Sequence, residues 1–143
     1  QIECVGLDFD TNDTFLDLTV SDDAGSSFES ADYNYKFVSD ASNVSSFTAG
    51  NSDSAAIIRM LQGTGALTTE SMDLTIKVSN LDHTAFIKNF YWSGGGAESN
   101  TRAMRLHGVG QWAGGVTAIN QIKIFPASGT FSATLRAYGL ANS

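Results

Sequence analysis

The chain has 143 residues, with 8 Lys and Arg against 15 Asp and Glu and a formal net charge of −7. Only 16% of its residues are charged, against about a quarter in an ordinary soluble chain, so neutral Ser, Thr, Asn and Gly must finish the surface. This balance argues against a nucleic-acid partner. The absence of any apolar run near the roughly 18 residues of a bilayer span argues against a membrane segment, and the single Cys4 excludes an internal disulfide or a multi-Cys zinc site.

Read from the start, the chain shows period-two alternation bounded by Gly, Ser, Asn and Asp, and no good helix. Ile2 to Phe9 sets Ile2, Cys4, Leu7 and Phe9 inward, with a change of phase near Gly6 that permits a bulge. Phe15 to Val20 puts Leu16, Leu18 and Val20 on one face. Asp22 to Ser27 is a turn. Tyr33, Tyr35 and Phe37 share one side of the next strand. Asp40 to Ser54 is the longest polar stretch and reads as a long loop or mobile edge. Ala56 to Leu61 is a short apolar run, strand or helical turn.

Gly63-Thr64-Gly65 reads as a connector before the clearest half-buried strand, Met72 to Val78. Ala85 to Trp92 is rich in aromatics, and Gly94-Gly95-Gly96 after it reads as a hairpin tip. Ala103 to Val109 points Met104, Leu106 and Gly108 inward. The stretch from Gln111 to Gly115 reads as a turn holding Trp112. Val116 to Phe125 carries Ile122 and Ile124 in phase, and Phe131 to Leu140 places Phe131, Ala133, Leu135 and Ala137 on one side. Eight or nine short strands at even spacing predict an all-β, single antiparallel β-sandwich over residues 1–143. The chain opens on Gln1 without an initiator Met or a signal-peptide pattern, as a processed chain or a piece of a longer one does.

Chemistry is sparse. Asp8, Asp10 and Asn12 place oxygen ligands at alternate positions, as a calcium loop begins. Asp13 stands where the sharp turn needs Gly, and Thr19 where the bidentate Glu belongs, so the segment reads as a solvated turn. Asp22-Asp23 and Glu29 with Asp32 are acidic clusters on connectors, and a glycosidase pair would need two carboxyls converging from different strands. His83 reads as a turn donor and His107 as a strand residue at a wet face or an interface. There is no Gly-x-Ser-x-Gly elbow. Gly94 to Gly96 is followed by neither a helix nor a Lys, which excludes a phosphate loop. No cofactor or metal is expected, and no enzymatic activity. The candidate partner-binding residues are Tyr91, Trp92, Gly94, Gly95, Gly96 and Trp112, with the Ser42–Asp53 loop beside them, since aromatics on a sandwich rim stack on sugars or anchor protein contacts; core or corner packing is the default reading for each aromatic.

The C-terminal third carries a family pattern: Gly110-Gln111-Trp112, then Thr117 to Ile122, then Pro126-Ala127-Ser128-Gly129-Thr130-Phe131, then Leu135 to Leu140. Upstream, Asp32-Tyr33-Asn34-Tyr35, Ser79 to Thr84 with Lys88, and Phe9 with Leu16-Asp17-Leu18 keep the same order. This resembles a β-sandwich module of tailed-bacteriophage virion structural proteins. The departures are Asp10 to Asp13 in place of an Ile-Pro turn, and Phe28-Glu29-Ser30-Ala31 in place of a Phe-Asn-Gly-Asp element.

The resemblance implies a jelly-roll-like fold and a non-enzymatic virion surface protein, first of all a capsid decoration protein clamping the major capsid protein or other virion proteins. It implies a homo-oligomer, with a trimer favoured, located on the capsid surface rather than the tail. The alternative is a tail-fibre or receptor-binding tip recognising host surface glycans. No nucleic acid and no membrane enter either reading.

Overall fold

The computed structural model describes residues 1–42, 46–64, 70–99 and 102–139. Among them the chain forms ten strands and no helix: β1 (Ile2–Phe9), β2 (Thr14–Ser21), β3 (Tyr33–Ala41), β4 (Thr48–Ala55), β5 (Ile58–Thr64), β6 (Met72–Ser79), β7 (Lys88–Ser99), β8 (Arg102–Trp112), β9 (Gln121–Pro126) and β10 (Phe131–Ala137). They form two antiparallel sheets, one of seven strands in the order β10-β1-β6-β7-β8-β3-β4 and one of three in the order β5-β2-β9. The fold is the expected all-β sandwich. The pairs β1·β10, β2·β9 and β3·β8 nest inside one another, as in a hairpin rolled up on itself, which gives the jelly-roll-like winding.

The strand added to the expected set is β4. It takes up the end of the polar stretch read as a long loop or mobile edge and forms the edge of the seven-stranded sheet, although Thr48 to Ala55 offers no large apolar residue to alternate. Its ladder to β3 supplies the order instead, and Phe37 packs across Gly50, where a Cβ would fall 2.2 Å from the ring. Residues 43–45 of that stretch lie outside the described residues, as do Gly65 and the closing residues from Leu140. Gly63 and Thr64 belong to β5 rather than to a connector, and Ala56 to Leu61 resolves as strand, not helical turn.

The core follows the alternation. Cys4, Leu7 and Phe9 are buried, and the phase change between them is a bulge at which Gly6 takes a φ of +65°. The Gly6 N–H leaves the ladder and donates to the Asp73 carboxylate (2.9 Å). Leu16, Leu18 and Val20 meet Ile58, Met60, Ile76 and Phe90 between the sheets. The β2 strand is buried on both faces, because Asp17, Thr19 and Ser21 on its other side are covered as well. Tyr33 reaches across to it: its hydroxyl accepts from the Val20 N–H (2.9 Å) and lies 2.8 Å from Thr19 Oγ1.

Lys88, fully buried at the start of β7, donates to the backbone carbonyls of His83, Phe86 and Val116 and so ties two loops to the sheet. A buried ammonium needs such a set of acceptors.

Candidate interaction surface

The six residues expected to meet a partner divide between the two sides of one sheet. Trp92 and Trp112 are core residues, each 3% exposed, so core packing, the default reading, holds for both, and their candidacy as rim contacts is corrected. In β7 the alternation sends Trp92 inward, where its indole N–H donates to the Met60 carbonyl of β5 (2.8 Å) and couples the two sheets. Its ring lies on Gly108, where a Cβ would come within 2.2 Å of the indole. Trp112 closes β8 and is folded over by Gly114 and Gly115. Its Nε1 is buried without a hydrogen-bond partner.

Gly94, Gly95 and Gly96 do not form a hairpin tip either. They lie mid-strand in β7, opposite Leu74, Asp73 and Met72 of β6 and Leu106, Arg105 and Met104 of β8. A Cβ on Gly94 would fall 2.3 Å from the Asp73 carbonyl oxygen, and one on Gly96 2.1 Å from that of Ser71. The glycine run lets β6 and β7 approach closely, and it leaves the sheet smooth.

Tyr91 alone of the six presents a large side chain to solvent, 50% exposed on the outer face of the seven-stranded sheet. The register places it in a cross-strand row of Lys77, Tyr91, Val109 and Lys36 on β6, β7, β8 and β3. Val109 is also exposed, so an apolar pair stands between two ammonium groups. Four of the eight Lys and Arg stand on this face: Lys36, Lys77, Arg105 and Arg136. Arg105 is paired with Asp40 (2.8 Å), which holds that carboxyl below its usual range. Many of the carboxylates gather instead in the turns, at Asp10, Asp13, Asp22, Asp23, Asp32 and Asp82.

Next to this row lies a groove of ≈ 550 Å³ lined by Gln1, Glu3, Lys77, Val78 and Tyr138. A second hollow of ≈ 320 Å³ shares Gln1, Val78 and Tyr138 and continues toward Ile119 and Ile122 between the sheets. The phenol of Tyr138 donates to Glu3 Oε2 (3.3 Å), and the Gln1 side-chain amide donates to Glu3 Oε1 (3.0 Å). Sequence reading missed Gln1, Glu3, Lys77 and Tyr138. They come from three distant segments of the chain, and only the β1·β10 and β1·β6 ladders bring them together.

Three carboxylates away from this face hold structure. Asp10 accepts from the Thr130 N–H and hydroxyl (both 2.7 Å), and these bonds, with that from Thr11, hold its carboxyl below the ordinary range. It thus fastens the Asp8 to Asp13 turn to the start of β10. Asp23 accepts from Ser27 and Ser21, which pull it down to about 2. Burial pushes the Asp17 carboxyl up, against the pull of Arg59 at 3.1 Å. His83 meets Phe86 in a tilted ring contact (centroids 4.4 Å apart) in its turn, and His107 stands exposed on β8. Among the described residues no group of three or more His, Cys, Asp or Glu is placed to share a metal ion. No family model, curated protein or solved structure matches the chain.

Proposed function

We propose that the chain is a non-enzymatic structural protein of a tailed-phage virion surface, a decoration protein that docks on the major capsid protein through the outer face of its seven-stranded sheet. The observation that carries this reading is the row Lys77-Tyr91-Val109-Lys36, a flat apolar pair between cations on a broad sheet. Such a face suits contact with another protein surface. The use of Asp10, Asp17, Asp23 and Asp40 as fasteners of turns and strands agrees with a structural role. So does the sandwich itself, the fold that the resemblance in Gly110 to Trp112 and Pro126 to Phe131 implies. On a lattice, many copies bind side by side, so modest single contacts are enough.

Immunogold labelling of intact virions with an antibody to this chain tests the setting. Gold over the head is expected. With accessible epitopes, no gold on any particle would overturn it. Tyr91→Ala is expected to weaken binding to undecorated capsids by about tenfold or more, as loss of an interface aromatic does, while thermal stability stays unchanged.

The groove beside Tyr138 favours a second reading, a tail-fibre module that recognises host surface glycans. An aromatic ring next to an amide, a carboxylate and an ammonium is a fit for a sugar's apolar face and hydroxyls. Gold confined to tail tips, and glycan-array binding lost in Tyr138→Ala, would select it over decoration.

A further inference from the structure

An antiparallel sandwich leaves four strand edges, and three of them carry the features that stop edge-to-edge pairing. The β9 edge has Lys123 and ends on Pro126. The β5 edge carries Arg59 and two register shifts against β2. The β4 edge carries Asp53, a register shift against β3, and no side chain larger than Asn or Asp. The β10 edge differs. Its sequence Phe-Ser-Ala-Thr-Leu-Arg-Ala has no Pro and no Lys, and its one charge, Arg136, stands opposite Glu3 in the register with β1. The bulge in that pair falls on β1, where Gly6 and Leu7 face Ala133, so β10 itself stays regular. Leu135 lies 55% exposed on it.

The direction of its backbone groups can be worked out. Gln1 and Tyr138 exchange both bonds (2.7 Å each), so they form a hydrogen-bonded pair. Antiparallel pairs alternate, so Arg136, Thr134 and Ser132 also bond to β1. The bond from the Asp10 N–H to the Thr130 carbonyl (3.1 Å) confirms this phase beyond the bulge. The N–H and C=O groups of Phe131, Ala133, Leu135 and Ala137 therefore point away from β1, and no strand among the described residues pairs with them.

We propose that this edge is the self-association site: two copies pair β10 to β10 about a two-fold axis at Thr134, joining their seven-stranded sheets into one of fourteen. The register follows from the strand. Centred on Thr134, Phe131 meets Ala137 of the second copy, and Ala133 meets its Leu135. Each outward-pointing residue thus faces another, and all eight free backbone groups are satisfied. On the inner face a large side chain meets a small one at every step. On the outer face Arg136 meets Ser132 of the second copy, whose ladder neighbour is Asp8, so the charges are complementary. The pairing is a two-fold one, in place of the three-fold assembly implied by the resemblance, and it does not depend on a virion setting. Two chains of net charge −7 repel, so added salt strengthens the pair.

Cysteine cross-linking fixes the register. Thr134→Cys places two thiols in a non-hydrogen-bonded pair with Cα atoms about 4.5 Å apart, within disulfide reach. Ser132→Cys places its thiols about four residues apart along the strand, roughly 13 Å and out of reach. A disulfide dimer from Thr134→Cys alone is expected. Cross-linking by both variants, or by neither, would overturn the proposal. In sedimentation runs from about 1 to about 100 µM the unmodified chain is expected to reach twice its monomer mass, and Ala133→Pro to stay monomeric or to dissociate at least tenfold more readily. That Pro removes an outward N–H and no bond to β1, so unchanged circular dichroism accompanies the loss. Should it fail to fold, Leu135→Lys serves, because its side chain is already exposed. A monomer throughout, a trimer, or a dimer insensitive to both substitutions would refute edge pairing.

Discussion

A tryptophan in a strand has two possible fates, and the side of the ladder decides between them. Trp92 and Trp112 both turn inward, one with its indole N–H satisfied across the core and one without, while Tyr91, a single position from Trp92, faces water. The phase that Phe90 shares with Trp92 makes this partly legible, although the uneven alternation from Ala85 to Trp92 leaves Trp92 among the expected partner-binding residues. The fate of Trp112 was less so, because it sits where β8 ends and the period runs out. Carboxylates in turns pose the reverse problem: a solvated turn and a fastened one share one composition. Asp23 is fully exposed yet held by Ser21 and Ser27, and its carboxyl lies down at about 2. A depressed carboxyl stabilises the fold at pH values above its unfolded range, and this gain disappears as pH falls through the folded value. Asp23→Asn is therefore expected to lower the thermal midpoint at pH 7, and to fall level with the parent chain near pH 2. Melting curves at pH 7, 4 and 2 check this, and an equal deficit at all three would exclude the carboxylate as the cause.

Most strands could be read from their own residues, because one wet face and one dry face leave a period of two. The exceptions are instructive. No alternation marks β4, whose existence depends on β3 beside it. The Gly94 to Gly96 run, which by itself signals a turn, is mid-strand because β6 and β7 approach there too closely for a Cβ. In both cases the cause lies in a neighbouring element, beyond the reach of local pattern. The β2–β5 pair shows what such neighbours cost. Asp17 is buried in β2, where desolvation raises its carboxyl, and the partly exposed Arg59 guanidinium of β5 compensates. Replacing Arg59 with Met should leave an unpaired buried carboxylate at pH 7 and cost about 2–3 kcal/mol. A raised carboxyl takes up its proton early, so the deficit should shrink as pH falls toward 4. Denaturant titrations across that range test the sign, and in the Asp17→Asn, Arg59→Met double variant the pH dependence should vanish.

At the scale of the molecule, the class of fold was legible because strand number, spacing and turn chemistry agree on it. The surface was not. Gln1, Glu3, Lys77 and Tyr138 come together only when β1 lies between β6 and β10, and no local pattern encodes that order. The nested pairing has a further consequence, in time. The β6-β7-β8 meander closes on near neighbours, whereas β1 waits for a partner 135 positions away, from Ile2 to Ala137. Closing so long a loop is entropically late, and sheets dominated by remote pairs fold in milliseconds to seconds. Core truncation in the meander, Leu106→Ala, should slow refolding, while Phe131→Ala in β10 should mainly hasten unfolding, and stopped-flow chevrons will separate the two limbs. On the ribosome β1 precedes both of its partners, so it stays unmatched until β6 emerges and keeps one free edge until β10 follows. The interval before β6 and β10 arrive is when neighbouring nascent chains can exchange strands, and a slower translating host would lengthen it.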